Sequence, residues 1–309
     1  MTTQPLVSVL MNCFNGAKYV REAIDSVLAQ TYSNWEIIFW DNKSTDASAE
    51  TCRSYGDPRI KYFLAPQHTN LGEARALAYS MVTGDLVAIL DTDDIWEPEK
   101  LERQVPLFDD PTIGIAISDV IFFTDSGKSQ RRFVNGAPPQ GMVFEALLDS
   151  YFVPVETVML RRTAIDSLAQ SFDPNLSHIS DFDLVVRLAK DWKLAYRDEV
   201  LAHWRVHPSS GSWAEPERFF NEKLLFIKKM DDDPVFATGW RGSRRRFLER
   251  TMTSEAMTKL GSGEVDTCRK MLQPYRWTHW RAFVVFALSF LPFGGWLVRR
   301  YRQRKSDLC

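Results

Sequence analysis

"LVAILDTDDIW", residues 86–96, sets five apolar residues, Leu86 to Leu90, directly against three carboxylates, Asp91, Asp93 and Asp94. A short aliphatic run of this kind reads as a buried strand. Three neighbouring carboxylates repel one another, so a cation, basic side chains or water must compensate them. In open α/β sheets, ligands sit beyond the carboxyl ends of the strands. The acidic triplet therefore points to a ligand cleft at that edge. Capping the next turn would need one aspartate, not three.

The flanking sequence supplies the rest of a sheet. "LVSVLM" (6–11), "WEIIFW" (35–40), "IKYFLA" (60–65) and "IGIAISDVIFF" (113–123) read as further strands. Between them, Ala17 to Gln30 carries Val20, Ile24, Val27 and Leu28 on one helical face. Residues 44–56 start on Ser-Thr-Asp and stop on glycine, and residues 72–84 form a third helical pattern. This alternation predicts right-handed crossovers and a mostly parallel sheet covered on both faces. Polar residues collect at the strand ends: Asn12 to Asn15 after the first, Asp41 to Ser44 after the second. Turn-rich segments follow residue 125, helical character returns over 180–192, and the chain beyond Glu215 is mainly helical and charged.

A chain of 309 residues with 45% hydrophobic and 25% charged residues can bury one large α/β domain and an appendage. The net charge of −2 offers no overall attraction to nucleic acid. Four scattered cysteines without a CxxC pair fit a reducing compartment, not a disulfide scaffold or zinc site. The amino terminus has no basic region followed by a long apolar run, so no secretory signal is expected. Residues 282–298, "AFVVFALSFLPFGGWLV", carry no charge and run into the basic "RRYRQRK" of 299–305. The run is short for a membrane span and is interrupted by Pro292 and Gly294-Gly295. It reads as a membrane-surface segment whose basic end faces anionic headgroups, with a buried helix as the competing reading.

Aspartate oxygens select magnesium or manganese, and those ions usually bridge to phosphate oxygens, which suggests a diphosphate ligand. Neither a GxxxxGK[ST] loop nor a GxGxxG turn follows the first strand. Four segments together resemble the family 2 glycosyltransferases of GT-A fold. They are "VSVLMNCFNGAKYVREAIDSVLAQTYSNWEIIFWDNKSTDAS" (7–48), "NLGEARALAYSMVTGDLVAILDTDD" (70–94), "SDFDLVVRLA" (180–189) and "WRVH" (204–207), in the family's order.

The resemblance implies an α/β, Rossmann-like GT-A domain over 1–214, with a mostly parallel sheet flanked by helices. Its nucleotide-sugar half would span about 1–124 and its acceptor half about 125–214, ahead of a helical carboxyl-terminal region, 215–309. It implies inverting transfer from a nucleotide-sugar donor to a saccharide or lipid-linked saccharide, usually with Mn2+ or Mg2+. It also suggests cell-envelope polysaccharide synthesis at the inner face of the plasma membrane.

Carried over residue by residue, Asn12 and Phe14 would lie against the base. Asp41 and Asn42 stand where the family commonly has two aspartates, the second touching uracil; with asparagine there, UDP and dTDP donors both stay open. Arg75 would approach the nucleotide. Asp91 and Asp93 would form the DxD motif, with Asp93, Asp94 and His207 around the metal. Asp181 would be the base that takes the acceptor proton, with Ser180 in place of a usual glutamate. A helix N-cap is the competing reading of Asp181.

Asp183 is expected to pair with Arg187 one turn on. His203 and His207 are four apart, but Pro208 and β-prone neighbours argue against a helical zinc pair. Other readings are a sugar nucleotidyltransferase, a DxD-type phosphatase and a degenerate scaffold at the membrane. "NCFNGAKY" lacks the glycines of the first, and Asp94-Ile95 departs from the motif of the second.

Overall fold

The structure, a computed structural model, describes residues 4–207, 216–233 and 241–306. The chain divides into two compact units, Met1–Ser210 and Gly211–Cys309. In the first, β1 (Val7–Cys13), β2 (Trp35–Asp41), β3 (Ile60–Leu64) and β4 (Leu86–Ile89) form a parallel half-sheet. Strands β1, β2 and β4 are apolar almost throughout and nearly wholly buried, as strands covered on both faces must be. The crossovers carry α1 (Val20–Leu28), α2 (Ser48–Arg53) and α3 (Leu71–Tyr79). On α1 the buried face is Val20, Ala23, Ile24 and Val27. The helical pattern over 44–56 shortens to α2 because the Asp46 carboxylate accepts the backbone N–H groups of Ser48 (3.0 Å) and Ala17 (2.9 Å). That tie holds the start of the segment against the loop after β1.

The other half of the sheet is mixed. After β4 the chain makes the acidic turn and a two-residue β5 (Ile95–Trp96), then α4 (Lys100–Gln104) and β6 (Ile113–Phe123). A hairpin adds β7 (Ser129–Arg131); α5 (Phe144–Asp149) leads to β8 (Met159–Arg161); α6 (Arg162–Asp166) and α7 (Ser180–Leu188) precede β9 (Lys193–Arg205). The order is β3-β2-β1-β4-β8-β6-β9-β5, with β7 paired to β6. β8 runs antiparallel between β4 and β6, β6 pairs in parallel with β9, and β5 is antiparallel to β9. Apolar periodicity reports that a segment is a strand, not which way it runs. The parallel expectation held from β1 to β4 and ended at the acidic turn, beyond which β5 and β8 run against their neighbours although helices still separate the strands that follow.

The second unit is helical, with helices over Pro216–Asp232, Arg241–Ser262, Val265–Leu272, Trp280–Leu288 and Gly294–Ser306. Ala256, Leu260, Cys268, Leu272, Ala282, Val285 and Val298 make its core. The apolar run 282–298 is thus split between two helices, and no described helix is long and apolar enough to cross a membrane. Cys13, Cys52 and Cys268 are buried free thiols.

Asn70 caps α3, its side chain accepting the Glu73 N–H at 3.0 Å. Gly72 lies so close to the loop before α7 that a Cβ would stand 1.8 Å from the Leu176 carbonyl oxygen. Backbone cannot yield as a side-chain tip can, so Gly72→Ala should destabilise the first unit by at least about 1–3 kcal/mol. Urea unfolding checks this, with the midpoint falling at unchanged slope.

Candidate active site

The loops after β1, β2 and β4 are tied together before any ligand arrives. Asn15, at φ 54°, receives the Thr45 N–H on Oδ1 at 2.8 Å and donates its own N–H to Ser44 Oγ at 3.0 Å. Gly16 faces the acidic turn, where a Cβ would sit 2.9 Å from Thr92 Oγ1. This close approach brings the end of β1 against the DxD segment.

At one end of the site Phe14 is 49% exposed, and its ring centroid lies 4.1 Å from that of His68. The Asn42 side chain is fully engaged: Nδ2 donates to the Thr69 carbonyl at 2.8 Å, and Oδ1 accepts from Thr69 N and Oγ1, both at 3.2 Å. The Asn42 carbonyl oxygen stands 3.0 Å from His68 Nδ1. Asn42 therefore holds the loop that presents His68 to Phe14. Asp41 accepts from Ser44 N (2.7 Å) and the Tyr62 hydroxyl (2.5 Å). Asn12 Nδ2 is buried with no hydrogen-bond partner, a donor left for something else.

At the centre Arg75, on α3, is almost wholly buried. Nη2 donates to Asp91 Oδ1 at 2.9 Å, Nη1 donates to Ser180 Oγ at 2.9 Å, and Nη1 lies 3.8 Å from Asp181 Oδ1. Asp181 sits in the first turn of α7 but does not cap it; the N-cap is Ile179, with no side-chain cap. The Tyr151 hydroxyl donates to Asp181 Oδ2 at 3.3 Å. Arg187 Nε donates to Asp183 Oδ2 at 2.8 Å, as the helical spacing led us to expect.

His207 Nε2 stands 2.9 Å from Asp93 Oδ2. Asp94 is 2% exposed, and its Oδ1 accepts the Arg205 N–H at 2.8 Å. Arg205 braces the acidic turn: Nε donates to the Asp93 carbonyl (3.0 Å), Nη1 to Asp125 (2.5 Å) and Nη2 to Glu22 (2.6 Å). Its guanidinium stacks 4.4 Å from the Tyr19 ring, which itself lies 5.2 Å from His207. His203 is on a strand and bonds Glu97 at 2.6 Å, away from any helical metal pair.

Three residues here carried no readable sequence signal. His68 belongs to a loop without a motif, and Arg205 is passed over beside His207 in "WRVH". Glu156 lies in the short turn before β8, fully buried, with both carboxylate oxygens unpartnered. Burial first, then the charges of Asp91 and Asp181, push its carboxyl up to about 8. Asp93, Asp94 and Asp181 are all raised above the ordinary aspartate value, in each case chiefly by burial, with neighbouring carboxylates adding. Asp181 is partly held back by Arg75. Negative charge is thus in excess.

Among the described residues no three His, Cys, Asp or Glu side chains converge on a metal position. Magnesium and manganese need no such cage, since one or two protein ligands and substrate phosphates suffice. Asp93 and His207 are the pair that fits; Asp94 is turned to the Arg205 amide.

Three parallel strands thus end beside an exposed aromatic pair, a buried arginine and clustered carboxylates, at the edge where open α/β sheets bind their ligands. Residues 8–168 match the family described as Glycosyl transferase family 2, and the chain belongs to that family. The chain is 28% identical over 236 residues to the "Putative teichuronic acid biosynthesis glycosyltransferase TuaG" of Bacillus subtilis, covering 73% of this chain and 92% of that one. It is 30% identical over 186 residues, 60% of this chain and 70% of the other, to the Escherichia coli "UDP-Glc:alpha-D-GlcNAc-diphosphoundecaprenol beta-1,3-glucosyltransferase WfgD". The mannosyltransferase PcManGT of Pyrobaculum calidifontis, solved with GDP-Man and Mn2+, superposes with a TM-score of 0.63 at 17% identity. That match covers 99% of this chain and 86% of PcManGT, and it shows the fold, GT-A.

The raised Glu156 has a testable consequence. A folded chain that keeps a proton which the unfolded chain releases above its ordinary value of 4.5 loses stability as pH rises from there to about 8. With EDTA present, Glu156→Gln should gain on the wild type by up to about 1.4 kcal/mol per pH unit across that window. Urea melts at pH 5 and pH 8 measure it. Parallel stability profiles would return Glu156 to an ordinary acid.

Proposed function

We propose that the protein is an inverting glycosyltransferase that moves a sugar from a nucleotide-diphosphate donor, UDP- or dTDP-linked, to a saccharide or lipid-linked saccharide. The place of this reaction is cell-envelope polysaccharide synthesis, at the inner face of the plasma membrane. The observation that carries the reading is buried Arg75, which joins Asp91 of the acidic turn to Asp181 of α7 in one cluster. That cluster sets a donor-side carboxylate and an acceptor-side carboxylate around one cation. The names of TuaG and WfgD support the envelope setting, and that of WfgD a diphosphoundecaprenol-linked acceptor.

In this reading Phe14 and His68 take the base against their exposed faces. The unpartnered Asn12 amide is a donor for the nucleotide. Asp181 takes the acceptor hydroxyl proton as the acceptor oxygen bonds to the sugar C1, while the C1–O bond to the diphosphate breaks and its electron pair leaves with the nucleotide. Its raised affinity for a proton suits a base acting near neutrality. Arg75 fixes where Asp181 points and pairs with Asp91. Asp93 and His207 would hold a divalent cation, Mn2+ or Mg2+, which when bound stabilises charge on the leaving diphosphate.

A catalytically degenerate scaffold is the alternative, and the gathering of Asp91, Asp93, Asp181, Arg75 and His207 weighs against it. A sugar nucleotidyltransferase is disfavoured by the loop after β1, which has one glycine.

Two substitutions separate the roles. Asp181→Asn should bind a nucleotide diphosphate as the wild type does and lose about 10²–10⁴-fold in turnover. Asp93→Ala should lose the Mn2+-dependent rise in melting temperature that the nucleotide produces. Thermal shift with UDP or dTDP, with manganese or EDTA, reads binding; nucleotide release reads turnover. Wild-type turnover by the Asp181→Asn protein removes that residue from the base role.

A further inference from the structure

The second unit presents a surface that its own core does not explain. Residues 276–305 contain seven Arg and Lys and no Asp or Glu. They fold as the Trp280–Leu288 helix, a turn, and the Gly294–Ser306 helix; among the described side chains Ala282, Val285 and Val298 make the stripe that joins the core. Trp277 is 76% and Trp280 69% exposed, and Phe283, Phe290, Phe293 and Trp296 are exposed as well. A soluble surface rarely concentrates aromatic residues in this way without a partner.

A cavity of about 530 Å3 adjoins this surface, lined by Asp266, Arg269, Lys270, Gln273, Arg276 and Phe286. Ring contacts make the two continuous. Phe286, in the cavity wall, lies 5.3 Å from Phe290, and Trp277 lies 5.7 Å from Phe283. The Arg276 guanidinium lies 5.6 Å from both Trp277 and Phe286, and that of Arg269 lies 4.1 Å from Phe290.

The arginines are held before any ligand comes. Arg269 Nε donates to Ser289 Oγ at 3.2 Å and Nη2 to the Ser289 carbonyl at 2.7 Å, and Arg276 donates to the Gln273 carbonyl. Asp266 offsets one of the three charges from the rim, 3.6 Å from Arg269 and 88% exposed. Fixed guanidinium groups and a lysine in a small cavity are suited to phosphate oxygens.

We propose that this unit is a monotopic docking module for an anionic bilayer. The cavity of Arg269, Lys270 and Arg276 takes a lipid headgroup phosphate, while Trp277, Trp280, Phe283 and Phe290 enter the boundary between headgroups and acyl chains. Charge complementarity names the occupant: a purely apolar protein partner would not call for a segment with basic residues and no acid across 276–305. Helices this short lie in the interface and do not cross it. The proposal takes its purpose from the lipid-linked acceptor, but vesicles without acceptor test it alone.

The experiment is flotation of the full chain with phosphatidylcholine vesicles, with and without 30 mol% phosphatidylglycerol, at roughly 0.1 M and 0.5 M salt. Strong binding to the anionic vesicles, at least tenfold weaker to phosphatidylcholine alone and weakened by salt, is expected. The exposed pair Lys270→Glu with Arg281→Glu should lower affinity more than tenfold, and Trp277→Ser with Phe283→Ser should abolish it, with circular dichroism melts reporting folding. Equal binding to both vesicle types overturns the proposal, as does no binding. So does a melting shift with inorganic phosphate unaccompanied by flotation, or a dimer in sedimentation without flotation. Donor hydrolysis in the same samples reads the catalytic unit separately, so its loss would count against transfer and not against docking.

Discussion

A buried guanidinium is the constraint around which the first unit is arranged. Removing Arg75 from water costs several kcal/mol unless its hydrogens find acceptors and its charge finds counter-charges. Asp91, Ser180 and Asp181 supply these to the two terminal nitrogens from the end of β4 and the start of α7, while Nε stays without a hydrogen-bond partner. α3 can deliver the arginine because Gly72 lets the helix start touch backbone at Leu176. Three segments distant in sequence are thereby held at one point. Ser180 matters to the balance: a glutamate there would be a further carboxylate at Arg75, whereas the serine hydroxyl accepts from Arg75 and brings no charge. The positive charge of Arg75 is then divided between Asp91 and Asp181, and Asp181 stays raised by its burial.

The acidic turn is compensated unequally. Asp91 has Arg75, Asp93 has His207, and Asp94 has a backbone N–H of Arg205. One amide dipole does not neutralise a buried carboxylate, and Asp94 is pushed well above the ordinary range. Arg205 is pulled outward to Glu22 and Asp125, so its charge is spent partly on the rim. Glu156 adds a fully buried acid near Asp91 and Asp181, its carboxylate without a hydrogen-bond partner. A site in this condition is poised to accept positive charge, and the proposed cation would enter where Asp93 and His207 already meet.

Strand ends, the acidic turn and the Asp183–Arg187 pair were legible in the sequence because each depends on local spacing. The mixed half of the sheet was not. β8 is three residues long and inserts between β4 and β6, and nothing in its composition records its antiparallel direction. Asn42 illustrates a different limit. The resemblance directed it at a base, and its side chain is engaged with Thr69, from which position it presents His68 to Phe14. Spacing could find the strand end that carries Asn42 but not the loop, more than twenty residues on, that would claim its hydrogen bonds. His68 and Glu156 stand outside every motif, and only tertiary packing brings them to the site.

The carboxyl-terminal segment shows why hydropathy alone divides badly between burial and membrane. Residues 282–298 are uncharged, which fits a span, an interface or a core equally. What separates them is the turn before Gly294-Gly295. A Cβ at Gly295 would lie 2.7 Å from the Leu260 carbonyl, so the last helix begins packed on the Arg241–Ser262 helix. That contact folds the run back upon its own unit, draws Val298 into the core and turns the aromatic residues outward. A continuous span would have spread those rings around a helix. The break gathers them on one unit beside Arg269 and Arg276, where apolar area and positive charge would meet the proposed bilayer together.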